Sequence, residues 1–142
     1  MGAWGTGMFE NDTAQDWLGE YAAEGASAVV GALMMAEEQA EEGYLEAPQA
    51  SAALAACEAV AASFGRPLAA APRELVDSLS ADAPQIKAFP DLRLRCVNVV
   101  GLVGSAPETS ELLALWGEVG GLDQATFEAA LGDLNDRLQA GP

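Results

Sequence analysis

The residues of this chain that could do chemistry are carboxylates, and they concentrate near the end of one predicted helix. Five glutamates lie within ten residues, at positions 37, 38, 41, 42 and 46. Glutamates one turn apart repel each other, and negative charge at a helix C-terminus opposes the helix dipole at a cost of up to about 1 kcal/mol per group. Such a cluster is either a solvated face of an acidic protein or a site for a cation.

The cluster has the spacing of one known magnesium site. Glu37, Glu38 and Glu41 match the E-E-x-x-E pattern of all-α nucleoside-triphosphate pyrophosphohydrolases, and Glu74 with Asp77 imitates their second carboxylate pair. Mg²⁺ prefers such oxygen ligands. The interval between the two pairs is longer than that site needs, and E-E-x-x-E is common on acidic helices. We therefore expect no metal, cofactor or catalytic residue. A magnesium-dependent nucleotide hydrolase, with Glu38, Glu41, Glu74 and Asp77 as ligands, is the alternative.

Residue types exclude most other catalytic machinery. The chain has no histidine, so Ser-His-Asp and Cys-His mechanisms are impossible. Cys57 and Cys96 lack the CxxC spacing of structural zinc sites, and we expect them to be buried free thiols. Asp12 and Asp16 lie one turn apart, but helix capping and a favourable first turn explain both.

The first eleven residues are expected to fold differently from the helical remainder of the chain. Three glycines within the first seven residues favour an irregular, tightly turned segment. Trp4 and Phe9 would each gain roughly 1.5 to 3 kcal/mol by burial. Asn11 or Asp12 is a suitable helix cap, and Asp12 with Gln15 has capping-box spacing. We predict an ordered arm, residues 1–11, packed on a helical body.

The apolar periodicity predicts an all-α bundle of about six or seven helices in a single domain, residues 1–142. The predicted helices cover residues 12–23, 27–42, 49–64, 92–103, 107–118 and 123–138. Residues 65–90 contain four prolines and are predicted to form a connector with one short helix at 73–79. Residues 92–103 also resemble a strand through their valines, but a strand without a partner forms no sheet, so we predict a helix.

The charge is strongly acidic and unevenly distributed. The chain carries 22 acidic and 6 basic side chains, for a net charge of −16, and residues 1–65 hold eleven acids without Lys or Arg. Nucleic acids and anionic membranes are bound through clustered basic residues, so we expect neither as a partner. A partner protein with a basic surface would complement this negative charge. Without a signal-peptide pattern or a membrane-length apolar segment, we expect a cytoplasmic protein that is a monomer or a small homo-oligomer.

Three segments resemble a bacterial family called domain of unknown function 4259. The opening reads G-x-W-G-x-G-x-F-E-N-D-x-A-x-D-W over residues 2–17, and the shorter segments are G-Y-L-E-A-P at 43–48 and S-E-L-x-x-L-W-x-E at 110–118. The resemblance implies a small, mostly helical cytoplasmic domain and supplies no catalytic residues. The residues that we assign to a binding or structural signature are Trp4, Phe9, Asn11, Asp12, Asp16, Trp17, Tyr44, Glu46 and Trp116.

Two roles are open for these signature residues. The aromatic side chains at 4, 9, 17 and 116 either line a pocket or pack in the core, and the small number of aromatics favours the core. Glu46 is expected to hold the turn after Tyr44 through hydrogen bonds to backbone N–H groups. We interpret the chain as a non-enzymatic binding or regulatory module, similar in role to immunity proteins, that meets a basic partner through its acidic first half or the face around the arm.

Overall fold

Seven α-helices and no strand make up the part of the chain that the computed structural model describes, residues 7–68, 73–89 and 91–140. The side chains of residues 74–81 are outside this description, as is Trp4. The helices are α1 (Asp12–Glu24), α2 (Ala26–Glu42), α3 (Ala47–Ser63), α4 (Arg73–Ala88), α5 (Leu92–Val103), α6 (Glu111–Val119) and α7 (Gly121–Gln139). The prediction of an all-α bundle is confirmed.

Helix α3 lies at the centre of the bundle. It packs against each of the other six helices, and 12 of its 17 residues are buried. Half of these are alanines, whose small side chains let neighbouring helices approach closely. The helical period predicts one inward stripe here, formed by Ala50, Leu54, Cys57, Ala61 and Phe64. The buried surface is wider than that stripe, because a helix that is apolar all round is buried all round.

The start of α1 follows the predicted capping, with one change. Asn11 is the cap, and its Oδ1 accepts a hydrogen bond from the backbone N–H of Ala14 at 2.8 Å. Gln15 does not complete a capping box with Asp12; its Nε2 donates to the carbonyl oxygen of Phe9 at 2.8 Å. Phe9 is buried, so this bond ties the described end of the arm to the first helix.

The predicted connector, residues 65–90, holds a longer helix than expected. Helix α4 begins at Arg73 as predicted but continues through Pro84 to Ala88. A proline inside a helix removes one backbone hydrogen bond and costs about 3 kcal/mol. Ile86 is fully buried beyond that proline, and this burial offsets part of the cost and keeps the last turn helical.

Residues 92–103 form the predicted helix. Val99, Val100 and Val103 lie on the buried face of α5, together with Cys96. This face packs against α3, α7 and α2. The next helix, α6, starts four residues later than predicted because Ser110, not Pro107, provides its cap: the Ser110 hydroxyl accepts the N–H of Leu113 at 3.4 Å.

Candidate binding surfaces

The glutamate cluster does not act as one unit. Glu37 forms a two-bond ion pair with Arg95 of α5, from Nη2 to Oε1 at 2.7 Å and from Nε to Oε2 at 3.0 Å. The pKa of Arg95 is raised, mainly by this hydrogen bond. Glu38 and Glu41 are exposed to solvent. One of the three carboxylates in the E-E-x-x-E pattern is therefore already held by a cation of the protein itself.

The second carboxylate pair of the proposed hydrolase site, Glu74 and Asp77, belongs to α4. The side chains of Glu74 and Asp77 are outside the described part of the chain, although α4 does pack against α2. Among the residues that are described, no group of three or more Cys, Asp or Glu side chains is placed to hold a metal ion.

An ion pair that sequence reasoning missed lies in the centre of the bundle. Glu58 of α3 is almost completely buried and accepts two hydrogen bonds from Arg137 of α7, at 2.6 and 2.9 Å. Arg137 also binds Asp133 at 2.8 Å and the carbonyl oxygen of Arg66 at 3.3 Å. The bond to Glu58 raises the pKa of Arg137 although burial opposes it. The signal was present, since Glu58 is the one acid in an alanine-rich helix.

The two cysteines meet between α3 and α5. Both are buried free thiols, as expected, and Cys57 Sγ lies 3.8 Å from the carbonyl oxygen of Cys96. Burial raises the pKa of the Cys57 thiol well above its usual value. A thiol held in its protonated form is a poor nucleophile, so this pair is suited to packing.

The two shorter signature segments touch each other. The N–H of Leu45 donates to the carbonyl oxygen of Thr109, and the N–H of Glu111 donates to the carbonyl oxygen of Leu45, both at 2.9 Å. Glu111 Oε1 then accepts the N–H of Ala47 at 2.7 Å. This signature clamp (residues 45–47 with 109–111) joins the start of α3 to the start of α6 across 64 residues of chain.

Glu46 is not the residue that holds the turn. Its carboxylate is exposed and accepts no hydrogen bond from the described residues, whereas its N–H donates to Gln39 Oε1 at 2.8 Å. Gln39 and Glu111 supply the side-chain oxygens that we had assigned to Glu46. The neighbouring Tyr44 is exposed on the outer side of the turn.

Phe9, Trp17 and Trp116 of the signature lie in the core, unlike the exposed Tyr44. Trp17 is buried, stacks on Tyr21 with ring centroids 5.3 Å apart, and donates from Nε1 to the carbonyl oxygen of Ala28 at 3.1 Å. Trp116 stacks on Phe127 at 5.6 Å. Asp12 and Asp16, in contrast, are exposed. The aromatic part of the signature thus fixes how α1 meets α2 and how α6 meets α7.

A groove runs between α1, α2 and the start of α3, with a volume of about 360 Å³. Its apolar lining comes from small side chains, Met35 and Trp17. Its polar lining comes from Thr13, Glu20 and Glu24 on α1, Ser27 on α2 and Gln49 on α3. We call it the α1–α2 groove; its apolar residues are Trp17, Ala28, Gly31, Ala32, Met35, Pro48 and Ala52.

The sequence comparison decides the family. The sequence model of the family described as Domain of unknown function (DUF4259) matches residues 2–128. The chain belongs to DUF4259. Comparison with curated proteins and with solved structures gives no significant match.

The acidic half of this DUF4259 chain keeps most of its charge unpaired. Of the eleven acids in residues 1–65, Glu37 and Glu58 bind arginines, and the other nine are exposed and form no ion pair with a described cation. These nine exposed carboxylates are Glu10, Asp12, Asp16, Glu20, Glu24, Glu38, Glu41, Glu42 and Glu46.

Several cations of the chain are engaged elsewhere. Besides Arg95 and Arg137, Lys87 and Arg93 lie over the ring of Phe64, at 5.6 and 4.9 Å from its centroid. Phe64 caps the C-terminal end of α3, where cations also suit the helix dipole. Two of the positive charges of this DUF4259 chain are therefore engaged at one end of α3. Within the described ranges, no helix is long and apolar enough to cross a membrane.

Proposed function

We propose that this DUF4259 chain is a non-enzymatic cytoplasmic binding or regulatory module whose partner is a basic protein. The observation that supports the proposal is the set of nine exposed carboxylates without a cationic partner among the described residues. Like charges gathered on one part of a surface repel each other, and a complementary positive surface relieves that repulsion and speeds association. Neither nucleic acid nor an anionic membrane offers that positive surface.

The hydrolase alternative has less support. The E-E-x-x-E pattern needs Glu37 as a free ligand, and Glu37 is bound by Arg95 through two hydrogen bonds. Binding Mg²⁺ there would require this ion pair to break first. We therefore place the function in the acidic surface rather than in a metal centre.

The test is an affinity capture from lysate of the source organism with three forms of the purified chain. The first is the wild type, and the second is Glu20→Gln/Glu24→Gln/Glu41→Gln/Glu42→Gln. The third removes the same number of charges from α6 and α7, with exposed Glu118, Asp123, Glu128 and Asp136 changed to Gln or Asn.

We expect a basic protein to be retained by the wild type and by the α6–α7 variant, to be lost from the α1–α2 variant, and to elute as salt is raised. Capture that is equal for all three forms, or insensitive to salt, contradicts the proposal.

A further inference from the structure

We propose that the α1–α2 groove binds one face of a basic amphipathic helix of the partner. This inference rests on the proposed function and gives it a location and a ligand chemistry. Three observations support it: the apolar floor of the groove, the length over which α2 lines it, and the unpaired acceptors along its α1 wall.

The floor combines one rigid residue and one adaptable residue. Trp17 cannot reorient easily, because it is stacked on Tyr21 and bonded to the carbonyl oxygen of Ala28. Met35 is half exposed, and an exposed methionine adapts to differently shaped apolar side chains. The volume of about 360 Å³ lies within the range of functional ligand sites.

The shape of the groove suits a helix. On α2 the lining runs from Ser27 to Met35, which is about 12 Å at 1.5 Å per residue, or two helical turns. Gly31 and Ala32 line the middle of this stretch, so no large side chain blocks the approach of a second helix. Helices that bind in grooves use apolar anchors one turn apart, and this length accommodates two such anchors.

The wall of the groove selects positive charge. Glu20 and Glu24 lie one turn apart at the C-terminal end of α1, where they repel each other and oppose the helix dipole. Gln49 Oε1 is buried and has no hydrogen-bond partner among the described residues. No Lys or Arg lines the groove. An Arg or Lys of the partner would meet both carboxylates and would extend its aliphatic stem over the apolar floor.

A second copy of this chain fits the groove less well than a basic helix. Two chains that each carry a net charge of −16 repel each other, and the groove offers only negative and neutral groups. A purely apolar or an acidic helix would leave Glu20 and Glu24 unpaired. These occupants serve as the comparison arms of the test.

The probe is a synthetic helical peptide of two residue types, with Leu at i, i+3, i+4 and i+7 and Lys at the other positions. Its controls are a scrambled peptide of the same composition and a peptide with Glu in place of Lys. Binding to the full chain is measured by calorimetry or fluorescence anisotropy at low salt. The scrambled peptide separates recognition of an amphipathic face from simple attraction to positive charge.

The decisive variant is Gly31→Trp. A Cβ added at Gly31 meets no atom within 4 Å beyond its own stretch of helix, so we expect the helix to tolerate the substitution and the indole to obstruct the groove. Gly132→Trp on α7 is the matched control, because Gly132 is also exposed and a Cβ added there also meets no atom within 4 Å beyond its own stretch of helix. Glu20→Gln/Glu24→Gln tests the acidic wall, and Glu118→Gln/Glu128→Gln removes the same charge from exposed positions of α6 and α7, far along the chain from the groove residues.

We expect Gly31→Trp and the Glu20/Glu24 variant each to weaken binding of the basic peptide by about tenfold or more, a difference of about 1.4 kcal/mol. We expect both control variants to stay within about twofold of the wild type, and the scrambled and acidic peptides to bind at least tenfold more weakly. Circular dichroism melts confirm that each variant is folded.

The outcomes separate this inference from the proposed function. If Glu20→Gln/Glu24→Gln weakens binding while Glu118→Gln/Glu128→Gln and Gly31→Trp do not, the acidic first half binds positive charge but the groove is not the site. If the wild-type chain binds neither the basic peptide nor its scrambled form, both the groove and the basic partner are contradicted. If the acidic peptide binds as well as the basic one, the charge selection at Glu20 and Glu24 is wrong.

Discussion

Glu58, inside the most buried helix, is held by Arg137 through two parallel hydrogen bonds of 2.6 and 2.9 Å. The pair joins α3 to α7 across 79 residues of chain. Arg137 lies beyond residue 128, where the DUF4259 match ends. The charge that compensates Glu58 in the core therefore comes from a part of the sequence that the family match does not cover.

Arg137→Met should destabilise the protein strongly, because it leaves Glu58 buried without a cation. Loss of one partner of a buried ion pair costs about 3 to 5 kcal/mol. Urea unfolding measures the change in the free energy of unfolding. Asp133→Asn is the control: it removes the exposed partner of the same arginine, and exposed pairs contribute at most about 1 kcal/mol. The double variant Glu58→Met/Arg137→Met should regain much of the lost stability. Equal losses of stability in Arg137→Met and Asp133→Asn would contradict this account.

The signature clamp should matter for stability more than its exposed neighbours do. Glu111→Ala leaves the N–H of Ala47 without its acceptor, which we expect to cost about 1 to 3 kcal/mol. Ser110→Ala removes the cap of α6 and should cost about 0.5 to 2 kcal/mol. Thermal melts measure both effects. Glu108→Ala, at an exposed position of the same loop, should stay within about 0.5 kcal/mol of the wild type; a larger effect there would show that the loop, not the clamp, sets the stability.

Stability should fall as pH rises above about 9, because two buried acids resist ionisation in the folded protein. Burial, and then the negative charge of Asp82, raises the pKa of Tyr21 from its usual 10.0, and burial raises that of Cys57 from its usual 9.0. The unfolded chain releases these protons first, so the free energy of unfolding falls as pH rises from each usual pKa towards the folded one.

The variant that tests this linkage is Tyr21→Phe. Urea unfolding at pH 8 and at pH 10.5 gives the loss of stability for the wild type and for the variant. The variant should lose less between the two pH values, since its ring has no proton to release. Tyr44→Phe is the control, because Tyr44 is exposed. If the wild type and Tyr21→Phe lose the same stability between the two pH values, ionisation of the Tyr21 phenol is not the cause of the loss.

The helical class could be predicted from the sequence because its causes are local. The apolar stripe of α1 and the glycine stops at 25 and 43 act over a few residues. Asp12–Ala23 was predicted for α1, and the structure gives Asp12–Glu24. The continuation of α4 through Pro84 could not be predicted, since it depends on the burial of Ile86 by other helices.

The contacts that build the candidate surfaces are not local. Glu37 with Arg95 and Glu58 with Arg137 pair across 58 and 79 residues, and no sequence spacing encodes such a pair. A lone acid in an alanine-rich helix does predict that a cation must be found, but not which one. The α1–α2 groove likewise depends on the angle between two helices, which the apolar periodicity does not specify.

Magnesium binding separates the acidic surface from the hydrolase alternative. We expect no binding of Mg²⁺ or Mn²⁺ at micromolar concentration by calorimetry, because Glu37 is held by Arg95 and Glu38 and Glu41 are exposed to water. Arg95→Gln is the informative companion variant, since it frees Glu37. Micromolar binding by the wild type that disappears in Glu38→Gln would support the hydrolase and remove the main argument for a solvated cluster.

Salt should stabilise the protein, because repulsion among the nine exposed carboxylates opposes folding and added ions screen it. The screening length falls from about 10 Å at 0.1 M ionic strength to about 3 Å at 1 M. Since the chain carries a net charge of −16, the melting temperature should rise between low salt and about 0.5 M NaCl.

Glu41→Gln/Glu42→Gln should melt higher than the wild type in low salt and should gain less from added NaCl, because both groups also oppose the dipole at the end of α2. The matched variant Glu118→Gln/Glu128→Gln, with its charges removed from α6 and α7, should show a smaller change. A melting temperature that falls with salt would mean that favourable ion pairs outweigh the repulsion, and a basic partner would then have no unpaired surface to bind.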